Sequence, residues 1–78
     1  MARYFFDFSK NGDLIKDKEG VDLNGLEEMR AEAIATLPDL AKPLDFDVDH
    51  HILNVTVRDA MGNPVFRAEL LFNCAWLE

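Results

Sequence analysis

The sequence predicts an α+β fold: two strands, a helix and two more strands (ββαββ). One helix lies on one face of a four-stranded, mainly antiparallel sheet of order 2-1-3-4. Three observations predict it. The opening segment Arg3-Tyr4-Phe5-Phe6-Asp7-Phe8 carries four of the chain's eight aromatic residues and is apolar on both faces, as befits an inner strand. Leu26, Met29, Ala33 and Leu37 then recur at spacings of three and four, the signature of an amphipathic helix. From Leu53 onward the period becomes two, on both sides of a Gly-containing loop.

Each element follows in order. Residues 2–8 form the first strand. Ser9-Lys10-Asn11-Gly12-Asp13 is a turn, because Asn-Gly accepts the positive φ of a tight hairpin. Leu14 to Asp17 is a short second strand, and its charges suit a sheet edge, where charge discourages edge-to-edge pairing. The helix begins at Asn24-Gly25, with Asn24 capping the free amides of the first turn and Glu27 reaching back as a capping box. Ile34 widens its apolar stripe, and alanines 31, 33 and 35 allow close approach to a sheet. Pro38 is expected to end the main helix near Leu37, or to open a short extra turn through Ala41.

In the bridge to the second half, Leu44, Phe46 and Val48 alternate with Asp45, Asp47 and Asp49. The phase then changes, which predicts a β-bulge or a strand start near His50-His51. The last hairpin is argued from register. A loop of Ala60-Met61-Gly62-Asn63 pairs Val57 with Phe66, Val55 with Ala68 and Leu53 with Leu70, and puts Thr56 against Arg67 and Asn54 against Glu69. A loop one residue shorter sets Val55 against Arg67, which a buried face forbids. The tail Cys74-Ala75-Trp76-Leu77 is too apolar to be expected free in water. Antiparallel contacts are the commoner kind, and they favour 2-1-3-4 over 2-1-4-3.

Seventy-eight residues make one domain, 1–78, and 49% apolar content provides a core and excludes disorder. A chain this short buries only about 60% of its unfolded surface, so a partner that completes the core is favoured. The net charge of -7, with scattered basic residues, argues against direct binding of nucleic acid or anionic membranes. Cys74 is the single cysteine, so no internal disulfide forms; its apolar neighbours mark it as a small core residue. Without a signal-peptide pattern or an apolar run of about 20 residues, the expected compartment is a reducing cytoplasm.

The chain resembles a family of small alphaproteobacterial proteins classed as a domain of unknown function. The resemblance rests on Arg3-Tyr4-Phe5-Phe6, Asn11-Gly12, Asp17-Lys18-Glu19-Gly20, Leu23 to Glu27, Arg30-Ala31-Glu32-Ala33 and Asp59-Ala60-Met61-Gly62. The chain departs from the family at Asn24-Gly25, where Pro-Asp is expected, and in its acidic 45–49 segment. The resemblance implies no activity, cofactor or catalytic residue.

The residues themselves suggest no enzyme. Asp45-x-Asp47-x-Asp49 begins like a calcium loop, but His50 stands where the sharp turn needs Gly and Thr56 where a bidentate Glu is needed. His50 and His51 are strand neighbours on opposite faces and cannot easily share a metal. Ser9, Cys74 and the threonines have no adjacent base. The four glycines serve turns and do not form a phosphate loop. The aromatic first strand lacks the flanking basic residues of an RNA-stacking sheet. No catalytic, cofactor or metal residue is therefore assigned.

One helix covers one sheet face. The other carries Phe5, Ile52, Val65 and Leu71 among Arg3, Asp7, Thr56, Arg58, Arg67 and Glu69. Large apolar groups mixed with arginines are the composition of an interaction surface. The expectation is a cytoplasmic protein-interaction or regulatory module binding a protein partner, a second copy of itself included, through Phe5, Ile52, Val65, Leu71, Arg3, Arg58 and Arg67. The alternative is an acidic mimic of nucleic acid that occupies a nucleic-acid-binding protein.

Overall fold

The computed structural model describes residues 1–42 and 49–77. Their elements are β1 (Ala2–Lys10), β2 (Asp13–Ile15), β3 (Val21–Leu23), α1 (Leu26–Ala41), β4 (His50–Arg58) and β5 (Pro64–Asn73). The sheet is antiparallel, in the order β2-β1-β4-β5. This is the expected 2-1-3-4 with one correction: β3 is a fifth strand, pairing Ala2, Arg3 and Tyr4 with Leu23, Asp22 and Val21. At three residues, β3 is too short to display a period of two.

The first turn forms as its chemistry requires. Lys10 pairs with Asp13, and Asn11 (φ 52°) and Gly12 (φ 93°) both occupy the left-handed region that a two-residue hairpin turn demands. Asn11 then ties this turn to β4. Its N–H donates to the Ile52 carbonyl (2.8 Å), its Oδ1 accepts from Ile52 N–H (2.7 Å), and its Nδ2 donates to Nδ1 of the buried His51 (3.0 Å).

The last hairpin has the register argued from its apolar pairs: Leu53 with Leu70, Val55 with Ala68 and Val57 with Phe66. The pairing then shifts by one, with Arg58 opposite Pro64, so that Val65 is the extra residue of a bulge between Val57 and Arg58. Of the two outcomes expected near His50-His51, a bulge or a strand start, the second is found: β4 starts at His50, and its pairing runs unbroken from His50 opposite Asn73. The alternating segment with Leu44, Asp45, Phe46, Asp47 and Val48 lies outside the described residues.

The core is a single cluster. Tyr4 and Phe6 of β1, Leu23 of β3, Leu53, Val55 and Val57 of β4, and Met29, Ala33 and Leu37 of α1 are all buried. The helix lies over β4 and β5. Its buried stripe is narrower than the sequence suggested, since Leu26 and Ile34 are 65% and 43% exposed. Two further expectations about α1 are corrected. It continues through Pro38 to Ala41 without a break. Its N-terminus has no side-chain cap, because the Asn24 amide donates to the Glu28 carboxylate (3.1 Å) instead. The start is held by Met29 N–H donating to the Gly25 carbonyl (3.0 Å).

The tail also departs from expectation. Trp76 and Leu77 are each 96% exposed and lie on neither sheet face. Cys74 is exposed as well. Its N–H donates to the Asp49 carbonyl (2.9 Å), extending the β4–β5 pairing, and its thiol lies 3.7 Å from the Asp49 carboxylate.

Candidate functional site

Strand alternation divides the sheet as predicted. Tyr4, Phe6, Leu53, Val55 and Val57 turn toward the helix side and are buried. The intervening residues face the other way. Register places Phe5 opposite Arg58, Asp7 opposite Thr56, Thr56 opposite Arg67 and Ile52 opposite Leu71. No helix covers this second face among the described residues.

The seven residues predicted to bind a partner fall into two groups. Arg3, Phe5 and Arg58 are taken up by the chain itself. Arg58 makes a two-pronged ion pair with Asp7, Nε to Oδ2 at 2.6 Å and Nη2 to Oδ1 at 3.1 Å. Its Nη2 also donates to the Asp17 carbonyl (3.0 Å), and its guanidinium lies 5.1 Å from the centre of the Phe5 ring. Such a fork over an aromatic face combines charge-assisted hydrogen bonds with a cation–π contact. Arg3 similarly pairs with Asp22 through Nε (3.0 Å) and Nη2 (3.1 Å), and donates to the Glu19 carbonyl (2.7 Å). Ile52, Val65, Leu71 and Arg67 form the second group. They lie on β4 and β5, with the three apolar side chains 49%, 43% and 58% exposed.

The segment between β2 and β3 explains the first group. β2 covers one end of the outer edge of β1 and β3 covers the other, which leaves the Phe6 N–H between them. Asp17 closes that gap, its Oδ2 accepting from Phe6 N–H at 3.0 Å. Its Oδ1 holds the turn that follows, accepting from the N–H groups of Glu19 and Gly20, both at 3.1 Å. The Asp17 N–H donates in turn to Asp7 (3.0 Å). Gly20 has φ +77°, and a Cβ there would lie 2.9 Å from the Phe5 ring and 3.0 Å from the Tyr4 carbonyl. The Asp-Lys-Glu-Gly stretch is thus a clip that seals one sheet edge and packs down on Phe5.

Electrostatics agree with this structural role. Desolvation pushes the carboxyls of Asp7 and Asp17 up. For Asp7 the Arg58 hydrogen bond and the Asp17 N–H outweigh it; for Asp17 the three backbone donors do so, and both carboxyls end below the ordinary range. Both are therefore locked as anions rather than poised to exchange protons. Desolvation, then the neighbouring Asp49 charge, holds the Cys74 thiol above its ordinary value, making it a poor nucleophile at neutral pH.

Among the described residues, concavities lie on both faces of the sheet. One of about 590 Å³ lies on the uncovered face, between Ser9, Asn11, His50, Ile52, Asn54 and Arg67. Another, about 480 Å³, is on the helix side, floored by Phe6, Phe8, Ile15 and Val21 and walled by Glu32 and Thr36. The sequence reading missed this second groove. It exists because α1 sits over β4 and β5 and leaves the helix-side surface of β1 partly bare, an offset that no residue pattern encodes. His50 and His51 project from opposite faces, His51 to Asn11 and His50 through Nδ1 to Asn73 Oδ1 (2.6 Å). Asp45 and Asp47 lie outside the described residues. Among the described residues, no helix is long and apolar enough to cross a membrane.

No curated protein and no solved structure matches the chain. A family described as a domain of unknown function (DUF6894) matches residues 3–71, which takes in the aromatic strand, the clip, the helix and nearly all of the final hairpin. The chain belongs to this family, DUF6894.

Proposed function

We propose that this protein is a small interaction module that docks a protein partner on the β4–β5 half of its uncovered sheet face. The observation that carries the reading is the pair Ile52 and Leu71. They are direct cross-strand neighbours, 49% and 58% exposed, on a face that no helix shields among the described residues. Arg67, one cross-strand pair beyond Asn54–Glu69 on the same face, lines the same concavity as Ile52 and is an exposed cation that can orient an acidic or polar rim. Apolar side chains clustered with an arginine give a patch suited to association. The clip argues against the β1 half as the contact, because Phe5, Arg3 and Arg58 are already engaged there. The module is read as acting in a reducing cytoplasm, where the lone thiol of Cys74 stays free.

A photo-crosslinking side chain tests the reading in the native cell. Placed at Ile52, it should trap one discrete protein adduct. Placed at Glu28, on the exposed side of the helix, it should not. Equal labelling from both positions, or none from either, removes the proposal.

A further inference from the structure

We infer that the chain pairs with a second copy of itself, β5 against β5 in antiparallel, about a two-fold axis at Ala68 that sets Arg67 of each copy opposite Glu69 of the other. The inference does not rest on the reading of the open face: it uses the rim of the sheet and its backbone, and shares only Arg67 with the proposed docking patch.

The two rims of this sheet are treated differently. The outer edge of β1 is closed along its length by β2, by the Asp17 carboxylate and by β3. β5 is ten residues long and pairs with β4 on one side, while among the described residues no strand lies along its other side. In an antiparallel sheet alternate residues turn their N–H and C=O to opposite sides, so half of β5 presents a row of backbone groups to a further strand. Natural edges are blunted with charged side chains, lysine above all, with internal proline, with bulges or with a short span; of these, β5 carries a bulge near one end and two charges of opposite sign, Arg67 and Glu69. β5 has no lysine, and its one proline, Pro64, is its first residue.

The core is also unfinished on this side. Leu53, Val55 and Val57 in β4 are fully buried, whereas their partners Phe66, Ala68 and Leu70 in β5 pack on the core but remain only partly buried. Another strand alongside would cover them.

The residue order of β5 names the occupant. Phe66-Arg67-Ala68-Glu69-Leu70 is self-complementary when one copy is reversed. About Ala68, Phe66 meets Leu70, Arg67 meets Glu69, and Ala68 meets itself, each pair on one face. A two-fold contact requires this kind of pattern, because the same patch must serve both partners. The neighbouring registers fail. Shifting by two sets Arg67 against Arg67 or Glu69 against Glu69. Shifting by one sets Phe66 against Glu69 or Arg67 against Leu70. A parallel in-register pair stacks like charges. The bulge at Val65 lies at the end of the paired stretch, where it limits further zipping.

Within one chain, Arg67 and Glu69 make only a loose pair at 3.6 Å, with side chains 63% and 43% exposed. Both are therefore available to a partner, and their replacement should leave the fold intact, which circular dichroism verifies.

Sedimentation across micromolar to sub-millimolar concentrations is the test. The unmodified chain should sediment at twice its own mass. Arg67→Glu and Glu69→Arg should each weaken the dimer roughly tenfold or more, because like charges then stand opposite twice per dimer. The doubly exchanged chain, and an equimolar mixture of the two single variants, should recover it. A monomer at every concentration overturns the inference. So does a dimer that ignores the charge exchanges. If Ile52→Glu alone dissolves the dimer, the copies meet through the sheet face, and the edge pairing is wrong. Trapping of a different protein at Ile52 is unaffected by any of these results, so the two proposals fail separately.

Discussion

Gly20 is the residue on which the clip turns. Its φ of +77° lies where side chains are strained, and a Cβ would press on the Phe5 ring and on a fixed carbonyl of β1. Gly20→Ala should therefore lose about 1–3 kcal/mol in urea denaturation. Gly12 offers the control. It has φ +93° but nothing within 4 Å of an added Cβ, so Gly12→Ala should lose less. Equal losses would mean that contact with Phe5 adds nothing to the backbone cost. Asp17 shows the same economy: one carboxylate replaces a missing strand partner at Phe6 and also folds the turn beyond it.

Among the elements, α1 carries a visible internal conflict. Pro38 lies inside it, where it has no N–H for the Ile34 carbonyl and its ring crowds the preceding turn. Packing overrides this cost, since Leu37 is buried and Leu40 and Ala41 pack against the core. Pro38→Ala should raise stability by about 1 kcal/mol or more, read from the denaturation midpoint. No gain would imply that the packing of Leu37 and Leu40 on the core depends on the proline itself. At β5 the conflict is between strength and exposure. The strand is long enough to anchor the sheet, and the same length leaves the backbone row that the self-pairing proposal uses.

At the scale of the whole molecule, the Asp7–Arg58 pair joins the first strand to the fourth and, through Asp17, to the clip. The folded-state pKa values of Asp7 and Asp17 are depressed relative to an unfolded value near 3.9. Their contribution is thus complete above that value and is lost as pH falls through the lower folded values. The protein should be insensitive to pH around neutrality and lose stability steeply in acid, below about pH 4. Asp7→Asn should lower the melting temperature at pH 7 by roughly 10 °C, because it leaves the Arg58 fork half-answered. The gap between variant and parent should close in acid, once Asp7 itself is protonated. A gap that stays constant with pH would assign the loss to packing rather than charge.

The sequence by itself determined what depends on neighbours in the chain and on the two hydrophobic periods. The aromatic first strand, the Met29–Ala33–Leu37 stripe and the register of the last hairpin were legible because burial permits only one phase for each; the Asn-Gly turn was legible from its tolerance of positive φ, and the strand order from the prevalence of antiparallel contacts. The tertiary structure decided what depends on distant meetings. Asp7 and Arg58 are 51 positions apart, Asn11 and Ile52 are 41 apart, and no local pattern announces either pair. Of the predicted contact residues, Arg3, Phe5 and Arg58 are engaged by partners within the chain, while Ile52, Val65, Leu71 and Arg67 are exposed; their amino-acid types do not distinguish the two fates. The apolar tail was misread for the same reason: hydrophobicity states that burial is favourable, and only the folded chain shows whether a surface lies within reach to provide it.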